Sequence, residues 1–414
     1  MSLVLALWAA DAVAADSALP DPLRLADVAA IALSNRAEVS AANARAEALA
    51  QRPAIVSALE DPMISASIDH YPYDPMMDAS RRYDRSFAIE QRFPLSRVRG
   101  HRRDAARADA RRGRALADAT GLDVALDAQR SFFMLMERRR MQGVVDEQGA
   151  LARQLVSAAA SRYASGMGMQ ADVLRAEMEV ARLQAQQQAL EAQIRGAEAM
   201  LNAAMGRAAG AAIPPLDSAG SDRQDPASAA DALGLASATR PELDAGAAEV
   251  ERAKAEIEVM RTMYKPMAMV RVGQASTMAE GTGAMLMIGV TIPLWRQRLS
   301  AGVAEASAMQ RMAEADLEAM QRMVASEVLA AREEVNAVRS QARALEVEVL
   351  PRALATVDAA LAAYASGQGT LVTVMESARA LWEVQSEQVM VEAAVGQAWA
   401  RLDRALGTVQ DPRQ

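Results

Sequence analysis

Tyr163-Ala164-Ser165-Gly166-Met167-Gly168 recurs as Tyr364-Ala365-Ser366-Gly367-Gln368-Gly369, 201 residues further on. Two glycines one residue apart, set between long runs almost free of Gly and Pro, read as a tight reversal joining two helices, since Gly enters φ > 0 at no steric cost. Outward from this motif the rest of the chain repeats as well. Asp21-Pro22 returns as Asp225-Pro226, Arg36 as Arg240, Glu38 as Glu242 and Pro62-Met63 as Pro266-Met267, all shifted by 204. Phe93-Pro94-Leu95 returns as Ile292-Pro293-Leu294, shifted by 199, and Leu201…Met205-Gly206 as Leu402…Leu406-Gly407, shifted by 201. The chain therefore reads as two halves, 21–207 and 228–407. A Pro-, Ser-, Asp- and Gly-rich linker at 208–227 joins them, and a short tail at 408–414 follows.

Each half has the same internal order. A helix (Leu23–Leu59, Ser228–Thr262) leads into two strand-like segments, which precede a very long helix (Arg97–Tyr163, Gln297–Tyr364). After the Gly-x-Gly break comes a shorter helix (Gln170–Gly206, Leu371–Gly407). A helix of nearly 70 residues would be about 100 Å long at 1.5 Å per residue, far more than a compact domain needs. The composition agrees with long helices: aromatics are 3% of 414 residues, and Ala, Arg, Glu, Gln and Met dominate. With no cysteine there is no disulfide, thiolate metal site or cysteine nucleophile. Two histidines, His70 and His101, exclude a histidine-rich metal cage, and a net charge of −8 disfavours nucleic acid as a partner. Leu3–Ala10 followed by Ala12-Val13-Ala14 reads as a signal peptide over residues 1–15, although it lacks a basic start and Asp11 interrupts it.

The strand-like segments, Met63–His70, Ser86–Phe93, Met267–Gln274 and Met285–Ile292, alternate in character. One face carries Ile64, Ile68, Phe87, Ile89, Val270, Val272, Leu286 and Ile288. The other carries Met63, Asp69, Glu90, Arg92, Met267, Met269, Arg271, Met285 and Met287. Apolar-out, polar-in alternation in segments of this length is a membrane β-barrel pattern. Four strands cannot enclose a pore when about eight are needed to close a barrel filled with side chains, so several chains must pool their strands. Tyr71, Tyr73, Tyr83, Phe87 and Phe93 cluster near strand ends, and Trp295 follows the last strand, as a bilayer interface recruits.

This order, duplicated after a signal peptide, resembles the TolC-type outer-membrane factors over nearly the whole chain. The most specific residues are Arg162 to Gly166, Asp172-Val173-Leu174-Arg175-Ala176-Glu177, the second copy from Tyr364, and Arg240-Pro241-Glu242-Leu243. The resemblance implies a mainly α protein with a small membrane β-barrel portion. It implies a homotrimer whose strands close a 12-stranded barrel in the outer membrane of a Gram-negative bacterium. That barrel would continue into a periplasmic α-helical barrel, docked on a periplasmic adaptor and an inner-membrane pump of the RND type, with outer-membrane lipid around it. It implies no catalysis and no cofactor. Glu60-Asp61-Pro62-Met63 with Phe93-Pro94-Leu95 is most similar to the heavy-metal-efflux branch, which favours copper or silver as cargo.

The resemblance places adaptor docking at the tips, Tyr163, Gly166, Gly168, Tyr364, Gly367 and Gly369, although these also serve as plain interhelical turns. It places a gate at Thr373 and Glu376, where Thr373 departs from the acidic pair of the family, with Asp172 as a weaker candidate. A ring of Glu376 in a narrow mouth would attract cations. Among 25 methionines, Met63, Met267, Met269, Met285 and Met287 fall on the predicted lumen face. Thioethers suit Cu(I) or Ag(I), but methionine is equally a flexible filler. Met76, Met77 and Met278 fall in predicted outer loops, and Met167 and Met169 at a tip. An arginine run, Arg97, Arg99, Arg102, Arg103, Arg107, Arg111, Arg112 and Arg114, follows the second strand and reads either as a solvated helix face or as the inner rim of the membrane. There is no Ser/His/Asp set, hydrolase motif or P-loop. The alternatives are a duct for organic drugs or secreted polypeptide and, from another class, a soluble periplasmic coiled-coil adaptor.

Overall fold

The computed structural model describes residues 19–69, 84–217, 228–277 and 281–408. The signal peptide, His70, Tyr71, Tyr73, Tyr83, Met76, Met77, Met278 and Asp225-Pro226 lie outside the described residues. The elements are α1 (Leu25–Asn35), α2 (Ala37–Ser57), β1 (Met63–Asp69), β2 (Asp84–Pro94), α3 (Val98–Ala164), α4 (Gln170–Ala204), α5 (Ala229–Thr239), α6 (Pro241–Thr262), β3 (Met267–Thr277), β4 (Gly281–Thr291), α7 (Arg296–Ala344), α8 (Leu350–Ala365) and α9 (Leu371–Leu406). A π-helical turn, Leu345–Val349, sits between α7 and α8. Among the described residues, no helix is long and apolar enough to cross a membrane.

Three expectations need correction. The leading helix of each half is two helices, broken at Arg36 (φ −69°, ψ 127°) and at Arg240 (φ −74°, ψ 113°). Pro241 forces the second break, because the residue before proline is pushed out of the helical region. Ala37 exerts no such force at the first. The second long helix is interrupted by the π turn immediately before Pro351, whose missing N–H and ring cannot be fitted into an unbroken helix. The strands at Asp84–Pro94, Met267–Thr277 and Gly281–Thr291 extend past the expected bounds, while Ile292 falls outside β4.

The chain divides into two compact units, Met1–Ala41, Asp118–Arg240 and Met323–Gln414 in one, Ala42–Ala117 and Pro241–Arg322 in the other. The core of the first gathers Leu23, Val28, Phe132, Leu135, Leu201 and Met205. The segment leading into α1 is fixed to the linker: the Leu23 N–H donates to the Pro215 carbonyl at 2.9 Å, and the Asp217 N–H donates to the Leu23 carbonyl at 2.9 Å. Arg139 holds the same stretch, donating to the carbonyls of Ile213 and Pro214 at 3.0 and 2.8 Å.

Two related clamps close this unit. Arg36 donates to the carbonyls of Ala203 and Ala204 at the end of α4 and pairs with Asp127 at 3.0 Å. Arg240 donates to the carbonyls of Arg404 and Ala405 at the end of α9 and pairs with Glu327 at 2.9 Å. Each arginine occupies a helix break and satisfies carbonyls that a helix terminus leaves without intrahelical partners.

In the other unit a four-stranded antiparallel sheet runs in the order β1-β2-β3-β4, and α6 packs on α7 through Val250, Ala253 and Ala313.

Candidate functional site

The sheet register decides which side chains share a face. Met63 lies opposite Glu90, Glu90 opposite Arg271 and Arg271 opposite Met287, so one rung carries four polar or thioether side chains. The next rungs carry Ser65, Ala88, Gly273 and Met285 on one side of it, and Arg92, Met269 and Gly289 on the other. Glu90 is 7% exposed and accepts from Arg92 Nε at 3.3 Å, and Arg271 donates to Ser65 Oγ at 3.0 Å.

The five candidate methionines thus share a face, but only Met63 and Met287 share a rung, at its two ends. Met267 faces Thr291, Met269 faces Gly289 and Met285 faces Gly273, and the Met269 methyl folds over Gly289. The opposite face carries Ile64, Ile68, Phe87, Ile89, Phe93, Val272, Leu286, Ile288 and Val290, between 39% and 68% exposed. Both outer edges, β1 and β4, lack a strand partner among the described residues.

At the Gly-x-Gly turns the two glycines do different jobs. Gly166 and Gly367 take φ of 72° and 79°. Gly168 and Gly369 have φ in the ordinary range and are held instead by close approach, since a Cβ on either would meet the preceding helix end at 3.0–3.2 Å.

The structure brings the two turns together. Arg162 donates to the Tyr364 carbonyl and lies 4.6 Å from the centre of the Tyr364 ring. Leu155, Ala159, Ala176, Leu371, Val374 and Met375 close around Tyr364, which is 6% exposed, whereas its repeat mate Tyr163 is 49% exposed. Burial pushes the Tyr364 hydroxyl above its ordinary value, opposed by the Arg162 charge and reinforced by Asp172.

The gate candidates differ in kind. Thr373 is engaged in helix capping: its N–H donates to Thr370 Oγ1 at 3.3 Å and its hydroxyl meets Thr370 Oγ1 at 3.0 Å. Asp172 lies 3.6 Å from Arg175 one turn along α4. Glu376 is exposed, and the structure assigns it no hydrogen bond or ion pair among the described residues. A cross-link that sequence reasoning missed lies close by in the fold. Glu179, 3% exposed, accepts from Arg379 at 2.6 Å and lies 3.6 Å from Arg182, tying α4 to α9. No local pattern announces a pair 200 residues apart.

The arginine run is split by the structure. Arg99 donates to the Ser57 carbonyl at 2.7 Å, Arg103 and Arg107 lie 3.8 Å from Asp104, and Arg112 lies 3.5 Å from Glu249. Arg97 and Arg102 are exposed at the start of α3. Arg102 lines a cavity of about 460 Å³ with Arg52, Asp109, Arg112, Arg252 and Glu256. No group of three or more His, Cys, Asp or Glu that could hold a metal ion occurs among the described residues.

Comparison with solved structures places this fold among bacterial outer-membrane channels. CusC, described through its folding and transmembrane channel formation, superposes with a TM-score of 0.82 at 16% identity over 93% of this chain and 92% of its own. The outer membrane protein VceC of Vibrio cholerae gives 0.79 at 16% identity, over 93% and 96%. The CmeC outer membrane channel of Campylobacter jejuni gives 0.77 at 12% identity, over 92% and 85%. A search of curated proteins finds no match. Residues 232–408, the larger part of the second half, match the outer membrane efflux protein family, and the chain as a whole has the fold of these outer-membrane channels.

Proposed function

We propose that the protein is the outer-membrane exit duct of a tripartite efflux system, a passive channel and not an enzyme. The observation that carries this reading is the open-edged sheet with one apolar, exposed face. Nine large apolar side chains stand 39–68% exposed there. At roughly 1 kcal/mol of unrealised burial each, the sum is comparable to the net stability of a whole domain. Such a face needs a hydrocarbon environment, and open edges β1 and β4 need further strands, since lipid tolerates no unpaired edge. Three copies pooling their strands meet both needs, with the Met63–Glu90–Arg271–Met287 rung turned to the lumen.

The halves 21–207 and 228–407, joined through 208–227, then supply equivalent helices to a periplasmic tunnel. A signal peptide at 1–15 directs export, and the tail 408–414 stands outside the repeats. The tips Tyr163, Gly166, Gly168, Tyr364, Gly367 and Gly369 dock an adaptor that works with an inner-membrane RND pump. Opening the periplasmic end requires α9 to leave α4 and α8 to leave α3, which breaks Glu179–Arg379 and Arg162–Tyr364 respectively. Glu376, aided by Asp172 and with Thr373 held in the first turn of its helix by the Thr370 cap, forms the gate. Heavy-metal cations, copper or silver first, are the favoured cargo, supported by the five lumen-face methionines and by the acidic gate. A drug or polypeptide duct is the second reading, since no two of those methionines pair directly on neighbouring strands, and Met63 and Met287 are separated on their rung by Glu90 and Arg271.

Two experiments test this. A heat-modifiable trimer in the outer-membrane fraction, with conductance in planar bilayers, is expected; a monomer confined to the soluble periplasm refutes the duct. Metal tolerance is then measured in a host lacking its own duct, with the neighbouring pump and adaptor co-expressed. Copper and silver resistance that falls when Met63, Met267, Met269, Met285 and Met287 become Leu supports the cargo. Resistance to drugs alone refutes it and leaves the duct intact.

A further inference from the structure

Both halves leave the sheet through the same short sequence: Pro94-Leu95-Ser96-Arg97-Val98-Arg99 and Pro293-Leu294-Trp295-Arg296-Gln297-Arg298. The register puts these exits at one rim, because Pro94 pairs with Met267 and Met267 with Thr291. The ends of β2 and β4 are therefore two strand spacings apart, about 10 Å. At this rim the apolar sheet face continues into Leu95, Ile292, Leu294 and Trp295, which are 58%, 66%, 74% and 77% exposed. Immediately beyond come Arg97, Arg102, Arg296 and Arg298, all exposed and with no side-chain partner among the described residues. Neither α3 nor α7 carries an acidic residue in its first turn. Glu60, Asp61 and Lys265 also flank the rim, but the unpaired arginines outnumber the carboxylates.

We propose that this rim is a collar for anionic phospholipid headgroups of the leaflet that borders the helical part of the protein. The inference rests on the outer-membrane reading above and adds the lipid class and the residues that select it. The order from sheet to helix is apolar side chains, then an amphipathic indole, then unpaired guanidiniums. That matches the order from acyl chain to interface to phosphate. Guanidinium forks fit phosphate oxygens in pairs. Trp382 and Trp399 are buried, so Trp295 is a reporter placed at the depth in question.

The full chain is reconstituted in phosphatidylcholine vesicles containing brominated-acyl phosphatidylglycerol or brominated-acyl phosphatidylcholine. Quenching of Trp295 is taken as the difference from W295F. Phosphatidylglycerol is expected to be preferred. The preference should fall by about fivefold for each arginine removed, roughly 25-fold in R296Q/R298Q, and persist in R296K/R298K. Equal quenching by both lipids, or a preference unchanged in R296Q/R298Q, overturns the collar. Loss of the preference on adding millimolar inorganic phosphate also overturns it, in favour of a site for free phosphate. L286W, on the apolar sheet face, separates the two readings. Its quenching by either lipid keeps the membrane reading even if the collar fails, and no quenching in any lipid overturns both.

Discussion

Arg240 and Arg36 occupy the same place in the two halves, and their environments predict unequal costs for the same substitution. Replacing each by Met keeps most of the stem volume and removes the guanidinium. The Arg240 side chain is 4% exposed and donates to two carbonyls at 3.1 and 3.2 Å as well as to Glu327 at 2.9 Å. Water cannot readily replace it, so two carbonyls at the end of α9 lose charged donors, and R240M should cost about 3–5 kcal/mol. The Arg36 side chain is 20% exposed, its carbonyl contacts are longer at 3.4 and 3.5 Å, and its partners Glu38 and Asp127 are each 57% exposed. Those groups rehydrate, so R36M should cost about 1 kcal/mol. Glu327 is itself 44% exposed, so adding E327Q to R240M should cost under about 1 kcal/mol more. Urea unfolding of the full chain in detergent micelles, followed by helical circular dichroism, measures all three. Equal losses in R240M and R36M, or a loss below about 1 kcal/mol in R240M, would refute the argument that burial of the clamp sets its worth.

Three further predictions use other parts of the chain. A Cβ at position 273 would sit 2.1 Å from the Phe87 carbonyl oxygen and 2.7 Å from Ala88 Cα, whereas one at 283 meets nothing within 4 Å. G273A should therefore cost about 1–3 kcal/mol and lower the yield of folded sheet, with G283A within about 0.5 kcal/mol of the parent, both read from thermal melts. Hydrogen bonding from Arg252 at 2.6 Å, against some desolvation and with help from Arg112, holds the Glu249 carboxyl below its ordinary 4.5. Its contribution is present above that value and is lost as pH falls through the lowered one, so E249Q should flatten the acid limb of the stability profile. Burial raises the Tyr364 hydroxyl above 10.0. Its contribution is therefore complete below that pH and lost as pH rises past it, so Y364F should flatten the alkaline limb, and an unchanged limb counts against the buried placement.

What the sequence reveals and what it hides follow from the range of the forces involved. The Gly-x-Gly turns are legible because a positive φ and a close backbone approach are local demands that glycine meets. The strand faces are legible because alternation is a period-two property of the chain itself. The strand ends are less so: Ala275 to Thr277 and Gly281 to Ala284 are Ala, Gly, Ser and Thr, all small, and carry little contrast between faces. The break at Arg240 had a readable signal in Pro241. The break at Arg36 has none nearby, and the carbonyls its side chain meets there lie 167 and 168 residues away.

The tips carry the argument furthest. Tyr163 and Tyr364 sit in the same six-residue motif, yet one is half exposed and the other enclosed. The difference arises one residue earlier. Arg162 precedes the first tyrosine and crosses to the second turn, while Ala363, its repeat mate, has nothing to send back. A duplicated sequence therefore produces a directed contact, from the first turn to the second. Within that contact only the first turn keeps its aromatic ring, with Met167 and Met169 beside it at 69% and 70% exposure, free for a partner. If both turns dock an adaptor, the first must do so mainly through apolar contact and the second mainly through its backbone and polar rim. Substituting Ala for Tyr163 should then weaken docking without loosening the fold, whereas the same change at Tyr364 should loosen the fold first.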